Sequence, residues 1–288
     1  MAASSLRFGA GVTAEIGMDL REIGAARVLV LTDRNLVRLR PVETVCASLE
    51  GEGLQYDLFD RVRIEPNDRS FQDAIEVALK GNYDGFVAVG GGSTIDTAKA
   101  ANLYSTYPAE FLAYVNAPLG TGRPVPGPLK PLVAVPTTSG TGSEATGIAI
   151  FDLSERRAKT GIAHRRLKPA LGLVDPENIR TLPPPVIAST GLDVLCHALE
   201  SYTALPFTKR PYPESPLLRP AYQGSNPVSD IWAIESIRMV SRYLLRLYEN
   251  PADEEARTQM VMAASYAGLG FGNAGVHLCH GMSYPVGS

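Results

Sequence analysis

Asp193 and His197 stand four residues apart in 193-DVLCH-197, and His277 and His280 follow in 275-GVHLCHGMSYP-285. On a helix, side chains at that first spacing share one face, so a carboxylate and an imidazole there supply half of a metal site. Taken alone, the couple is better explained by Asp193 capping the helix or by a buried hydrogen-bonded pair. The second segment holds two of the chain's four histidines in an apolar, glycine-rich setting. One oxygen ligand with two or three imidazoles suits Fe(II) or Zn(II), and the donor types do not choose between them. An ion held there acts as a Lewis acid and lowers the pKa of a bound hydroxyl. Cys196 and Cys279 each adjoin a candidate ligand. Neighbouring helix positions point apart, so both are read as buried thiols.

A second set of residues suits a dinucleotide. The stretch 84-DGFVAVGGGSTIDTAKA-100 reads as a strand, three glycines and a helix that begins near Ser93. Free amides and the positive end of a helix dipole attract a pyrophosphate, and glycines let the backbone come close to it. A plain glycine-rich turn competes with this reading when the motif stands alone. Asp33, where the first strand ends, can accept hydrogen bonds from ribose hydroxyls and repel an added phosphate, which favours NAD over NADP. It can equally cap the segment that starts at Asn35. The polar loop 137-TTSGTGSEAT-146 offers hydroxyls and amides to the nicotinamide end of the cofactor.

The elements that must position these groups follow a β-α-β rhythm. Strands are expected at residues 27–32, 56–59, 84–90, 132–136, 147–151, 160–163 and 170–174, with helices at 35–50, 70–80 and 93–104. Polar loops at the ends of parallel strands are where open α/β sheets bind ligands. After 181-TLPPP-185 the periodicity is helical at 186–204, 230–248 and 254–271, and the proline-rich stretch 205–227 can only be irregular. The expected fold class is α/β: a Rossmann-like parallel-sheet NAD domain over 1–185, then an all-helical metal-binding domain over 186–288.

Composition narrows the function. With 288 residues, 45% hydrophobic and 20% charged, the chain can fill one large domain or two ordinary ones. A net charge of -3 with no basic stripe argues against nucleic acid as a partner. Three widely separated cysteines do not make a disulfide framework and fit a reducing compartment. No run approaches the roughly 20 apolar residues of a membrane span, and the opening MAASSLRFGAGVTAE shows neither a secretory signal nor an Arg-rich leader.

In this order, GGGS with Asp96 three residues on, PTTSGTGSE, the D-x-x-x-H helix and the later HGM resemble the iron-containing (group III) alcohol dehydrogenases. The resemblance covers essentially the whole chain. It implies a dehydroquinate synthase-like fold, bound NAD and Fe(II), with Zn(II) as the alternative ion. By it, Asp33, Asn67, Gly91, Gly92, Ser93, Asp96, Thr137, Thr138, Ser139, Thr146, Lys159 and Leu182 contact NAD. Asp193, His197 and His280 are the metal ligands and the catalytic set, while His277, three residues before the ligand position, is structural or backs a ligand.

Two departures stand out. Many members carry a histidine four residues after the HGM histidine, thought to relay protons, where this chain has Tyr284. The family's fourth ligand is a later histidine that would lie beyond Ser288, so a truncated chain with an incomplete helical domain is expected. The implied activity is hydride transfer between a hydroxyacid or alcohol and NAD in a mitochondrial homo-oligomer. In the hydroxyacid-acting branch, 4-hydroxybutyrate becomes succinate semialdehyde and 2-oxoglutarate reoxidises the bound NADH. Such substrates carry carboxylates, for which Lys209, Arg210 and Arg219 are candidates, although solvated surface charge explains them as well. The competing readings are a glycerol dehydrogenase-like enzyme and an inactive nucleotide-binding isoform.

Overall fold

Aliphatic and β-branched runs form six short strands that pair side by side. In the computed structural model, which describes residues 4–287, these are β1 (Leu6–Phe8), β2 (Arg27–Leu31), β3 (Gln55–Phe59), β4 (Gly85–Gly90), β5 (Leu132–Pro136) and β8 (Leu171–Val174). An antiparallel hairpin of β6 (Ile148–Leu153) and β7 (Ala158–Ala163) stands apart from them. The six run β1-β8-β5-β4-β2-β3 across one sheet, every neighbouring pair parallel. This is an α/β fold built on a parallel sheet, as expected. The outer limits of the two expected domains, residues 1–3 and 288, lie outside the described residues.

Every residue of β4 and β5 is buried, because helices cover both faces of a parallel sheet. On one face Val28, Val30, Val87 and Val89 pack against Ile16 and Leu20 of α1 (Ile16–Ile23) and Val42, Val45 and Leu49 of α2 (Arg40–Gly51). On the other, Leu29, Leu31, Phe86 and Ala88 meet Ala74 and Ala78 of α3 (Asp68–Lys80) and Ile95, Ala98 and Ala101 of α4 (Gly92–Thr106). The alternation along β2 and β4 is the period of two that sends successive side chains to opposite faces.

The helix expected from residue 35 begins instead at Arg40. Asp33 Oδ1 accepts from the Asn35 and Leu36 amides at 2.8 and 3.2 Å and folds the intervening residues into a turn. Leu39 is then extended, and Pro41 opens α2, where its missing N–H costs nothing. Sequence reading also missed β1, α1 and the helix α8 (Leu278–Gly287).

From Pro184 onward the regular elements of the described residues are helices: α5 (Pro184–Thr203), α6 (Pro227–Glu249), α7 (Glu254–Ala274) and α8. The first three share one core that includes Ile187, Val194, Met239, Val240, Met260 and Ala264. Residues 205–226 between α5 and α6 contain two short 3-10 turns, Phe207–Lys209 and Pro216–Leu218, and an isolated bridge between Pro206 and Ser225. None of the described helices is long and apolar enough to cross a membrane.

The loop after β5 meets α7 backbone to backbone. Gly142 sits at φ +58°, and a Cβ there would lie 2.7 Å from Gly268 Cα. Ser265 on the same helix donates to Glu144 Oε1 at 2.8 Å. Gly142→Ala should therefore destabilise the chain by about 1–2 kcal/mol for the left-handed backbone alone, with the contact adding to it. Denaturant unfolding reads this, and a stability equal to the parent's would refute the close approach.

Candidate active site

β2, β4 and β5 are neighbours, so the residues that follow them gather at one edge of the sheet. Gly91 precedes α4 in an extended conformation, and no side chain caps that helix. Its start thus lacks the side-chain cap that closes α3, where Asn67 accepts from Ser70 N at 2.9 Å. A Cβ on Gly91 would come 3.1 Å from Thr138 Cγ2, and one on Gly92 would come 2.8 Å from Thr141 Cγ2. The glycines let the β5 loop close in beside the helix start. Thr138 Oγ1 and Ser139 Oγ are buried there without hydrogen-bond partners.

A cleft of about 560 Å³ opens between this edge and the helices. Of the expected site residues, Gly92, Ser93, Asp96, Thr146, Lys159, Asp193, His197 and His280 line it. Asp33, Asn67, Gly91, Thr137, Thr138, Ser139 and Leu182 do not. Asp33 is engaged in a turn and Asn67 in the cap of α3, and Leu182 packs with the helical core. Glu65, Tyr222, Phe271 and Tyr284 line the cleft without having been anticipated as cofactor or metal contacts, and Thr141 and Ser143 of the polar loop 137–146 line it as well. Lys209, Arg210 and Arg219 are absent from its wall; Lys159 is the cation present, paired with Glu65 at 2.7 Å and Asp152 at 3.2 Å.

Asp193 and His197 come from α5 and His280 from α8. One donor atom from each lies within 4.8 Å of the others. His197 Nδ1 is 3.7 Å and His280 Nε2 is 3.5 Å from Asp193 Oδ1. His197 is buried, stacked on Phe271 with ring centroids 4.0 Å apart, and its Nδ1 has no hydrogen-bond partner. Burial pushes its pKa down to about 4, with Asp193 pulling the other way. For His280 burial also lowers the pKa, but hydrogen bonds to Asp193 and Glu200 outweigh it and raise the value above 6.5. An orphaned buried nitrogen, a carboxylate and a second imidazole facing one point fit a first-row divalent cation.

Glu200 extends this cluster and was missed. It lies seven residues past Asp193 on the same helical face, and that spacing was the available signal. Its carboxylate is 3% exposed, accepts from the Cys279 amide, and pairs with His280 Nδ1. His277 stays outside the ligand cluster, with Nε2 3.0 Å from Thr203 Oγ1 and Nδ1 3.7 Å from Glu200. The expectation of two buried thiols fails: Cys196 is half-buried and Cys279 exposed. α8 packs against α5 so that the two cysteines come near each other, and the Cys196 thiol is pushed up to about 11, first by burial and then by Cys279.

Lys99 is a second buried charge that sequence reading passed over. It is fully buried and donates to Ser143 Oγ at 2.6 Å and Ile148 O at 2.7 Å, with Asp96 Oδ1 at 3.3 Å. Asp96 in turn accepts from Ser143 Oγ at 2.6 Å and from Ile150 N at 2.9 Å. Asp96 thereby ties α4 to β6 and reaches the cleft wall.

Residues 3–176 match the family model for iron-containing alcohol dehydrogenase, and residues 221–288 match the model for the C-terminal part of the Fe-containing alcohol dehydrogenase family. The chain belongs to the iron-containing alcohol dehydrogenase family. Among curated relatives, mitochondrial hydroxyacid-oxoacid transhydrogenase of Bos taurus is 62% identical over 99% of this chain and 62% of its own length. The Homo sapiens protein of the same name is 58% identical over the same shares. The chain therefore spans 62% of the length of these relatives. Among solved structures, 1,3-propanediol oxidoreductase superposes with a TM-score of 0.85 at 28% identity, covering 98% of this chain and 68% of that one. Sulfoacetaldehyde reductase from Bifidobacterium kashiwanohense in complex with NAD+ gives 0.82 at 27%, covering 97% and 68%.

The two imidazoles should titrate far apart in the metal-free chain. NMR should find His197 protonating near pH 4 and His280 above 6.5. The linked stabilities have opposite signs. The His280 contribution is present below about pH 6.5 and lost as pH rises through its raised value. The His197 contribution is lost as pH falls from about 6.5 to 4. Coincident titrations near 6.5 would contradict the geometry.

Proposed function

We propose that this chain carries the NAD site and metal site of an oxidoreductase that moves hydride between a hydroxyacid or alcohol and NAD. The most specific form of the reading is oxidation of 4-hydroxybutyrate, with 2-oxoglutarate taking the hydride back from NADH. It draws on the relatives named as mitochondrial hydroxyacid-oxoacid transhydrogenases, and a mitochondrial setting goes with it. The observation that carries it is one cleft lined both by the start of α4, at Gly92 and Ser93, and by Asp193, His197 and His280.

In this reading residues 1–185 form the NAD-binding domain and residues 186–288 the helical metal-binding domain. The uncapped start of α4 takes the pyrophosphate, whose charge its amides and dipole favour. Asp33, at the end of the neighbouring strand, faces the ribose and disfavours a 2′-phosphate by charge repulsion. Asn67, Gly91, Asp96, Thr137, Thr138, Ser139, Thr146, Lys159 and Leu182 complete the cofactor surroundings. Asp193, His197 and His280 hold Fe(II) or Zn(II), which supplies Lewis acidity toward the substrate's hydroxyl or carbonyl oxygen.

The chain's own residues prepare that chemistry. His197 is held neutral at pH 7 by burial, so its lone pair is available for bonding. Phe271 covers one face of its ring and helps keep water out of the cleft. Lys159 brings a cation to the cleft wall, where Glu65 and Asp152 hold it, so an anionic group of cofactor or substrate would compete with those carboxylates for it.

Elemental analysis and NADH absorbance test the assignment. The parent should copurify with metal and form NADH from 4-hydroxybutyrate. His280→Ala should lose metal and slow turnover by at least about 100-fold, since Lewis acidity supplies several kcal/mol. NAD affinity should stay within about twofold, because that site uses other residues. NAD binding by a parent that takes up no metal would point to the inactive nucleotide-binding reading instead.

A further inference from the structure

We propose that Glu200 is a positioning residue that fixes the ring of His280, with Nδ1–H directed at its carboxylate and the Nε2 lone pair directed at Asp193 and His197. The inference rests on the metal reading above and adds to it a carboxylate–histidine pair behind the ion. The geometry is specific. Glu200 is 3% exposed, pairs with His280 Nδ1, and lies on α5 one turn beyond His197. The opposite ring nitrogen, Nε2, is the one 3.5 Å from Asp193 Oδ1. A buried carboxylate needs donors to offset its lost hydration, and the described donors to this one are His280 and the Cys279 amide. Hydrogen bonding at one imidazole nitrogen decides which nitrogen keeps its lone pair, and carboxylates placed this way make a histidine a better ligand.

A purely structural role is the competing account, since the Cys279 amide bond alone would tether α8 to α5. Glu200→Gln separates the two. It keeps the bulk and one carbonyl oxygen, but its NH2 cannot accept a hydrogen bond. With the oxygen on the Cys279 amide, the NH2 faces Nδ1 and favours the tautomer protonated at Nε2, which has no lone pair for an ion.

Three measurements on the metal-free 288-residue chain test this: Co(II) titration, NAD titration and imidazole 15N NMR at alkaline pH, where the ring is neutral. E200Q should bind Co(II) about 10–100-fold more weakly than the parent, shift His280 from the Nδ1–H to the Nε2–H form, and bind NAD as the parent does. Unchanged Co(II) affinity and tautomer in E200Q overturn the inference while leaving the metal reading standing. Weaker Co(II) binding with an unchanged tautomer overturns it in favour of the tether. A parent that binds no Co(II) at all overturns both the metal reading and the inference.

Discussion

Backbone contact between the loop after β5 and the helices sets how far the sheet edge stands from the cluster of Asp193, His197 and His280. Gly142 lies against Gly268 of α7, and a Cβ on Gly140 would come 2.5 Å from Thr190 Cβ of α5. Gly272 approaches Thr146 in the same way. With larger residues at these points the helices would stand off by the width of a methyl group or more. Asp193 and His197 would then move away from Gly92 and Ser93, and the shared cleft would divide into two unrelated surfaces.

Buried charge locks the other side of that loop. Lys99 is enclosed completely; burial pushes its pKa down and Asp96 pulls it back up. Glu144, equally enclosed, is pushed up by burial and eased by the Ser265 hydroxyl. Such groups are costly unless each finds its partners, so they favour one arrangement of α4, β6 and the loop over looser ones. That restriction suits a site whose parts come from widely separated stretches of chain.

Much of this was legible from residue order, because aliphatic runs with glycine or proline borders mark buried strands and long periodic segments mark helices. The β4–α4 turn and the spacing of Asp193 and His197 were read correctly as local geometry. What failed was non-local. Cys279 was judged by its neighbours in sequence, while its exposure depends on how α8 lies across α5. The start of α2 was misplaced because one carboxylate, Asp33, diverts the chain into a turn first. Glu200 was passed over because its partner, His280, lies eighty residues later in the chain. The ligand set itself was named through a family likeness rather than from spacing, since nothing local ties residue 280 to residue 193.

The donors are unequal in how firmly they are held. His197 is flanked by Phe271 on one side and the His280 ring, 4.4 Å away, on the other, so it can meet an ion only edge-on. His280 arrives on α8, a separate element joined to α5 through Glu200. An ion bridging the two would act as a clasp. By thermodynamic linkage, occupancy and docking would then report on one another: loading would stiffen α8, and a change that frees α8 would weaken the hold on the ion.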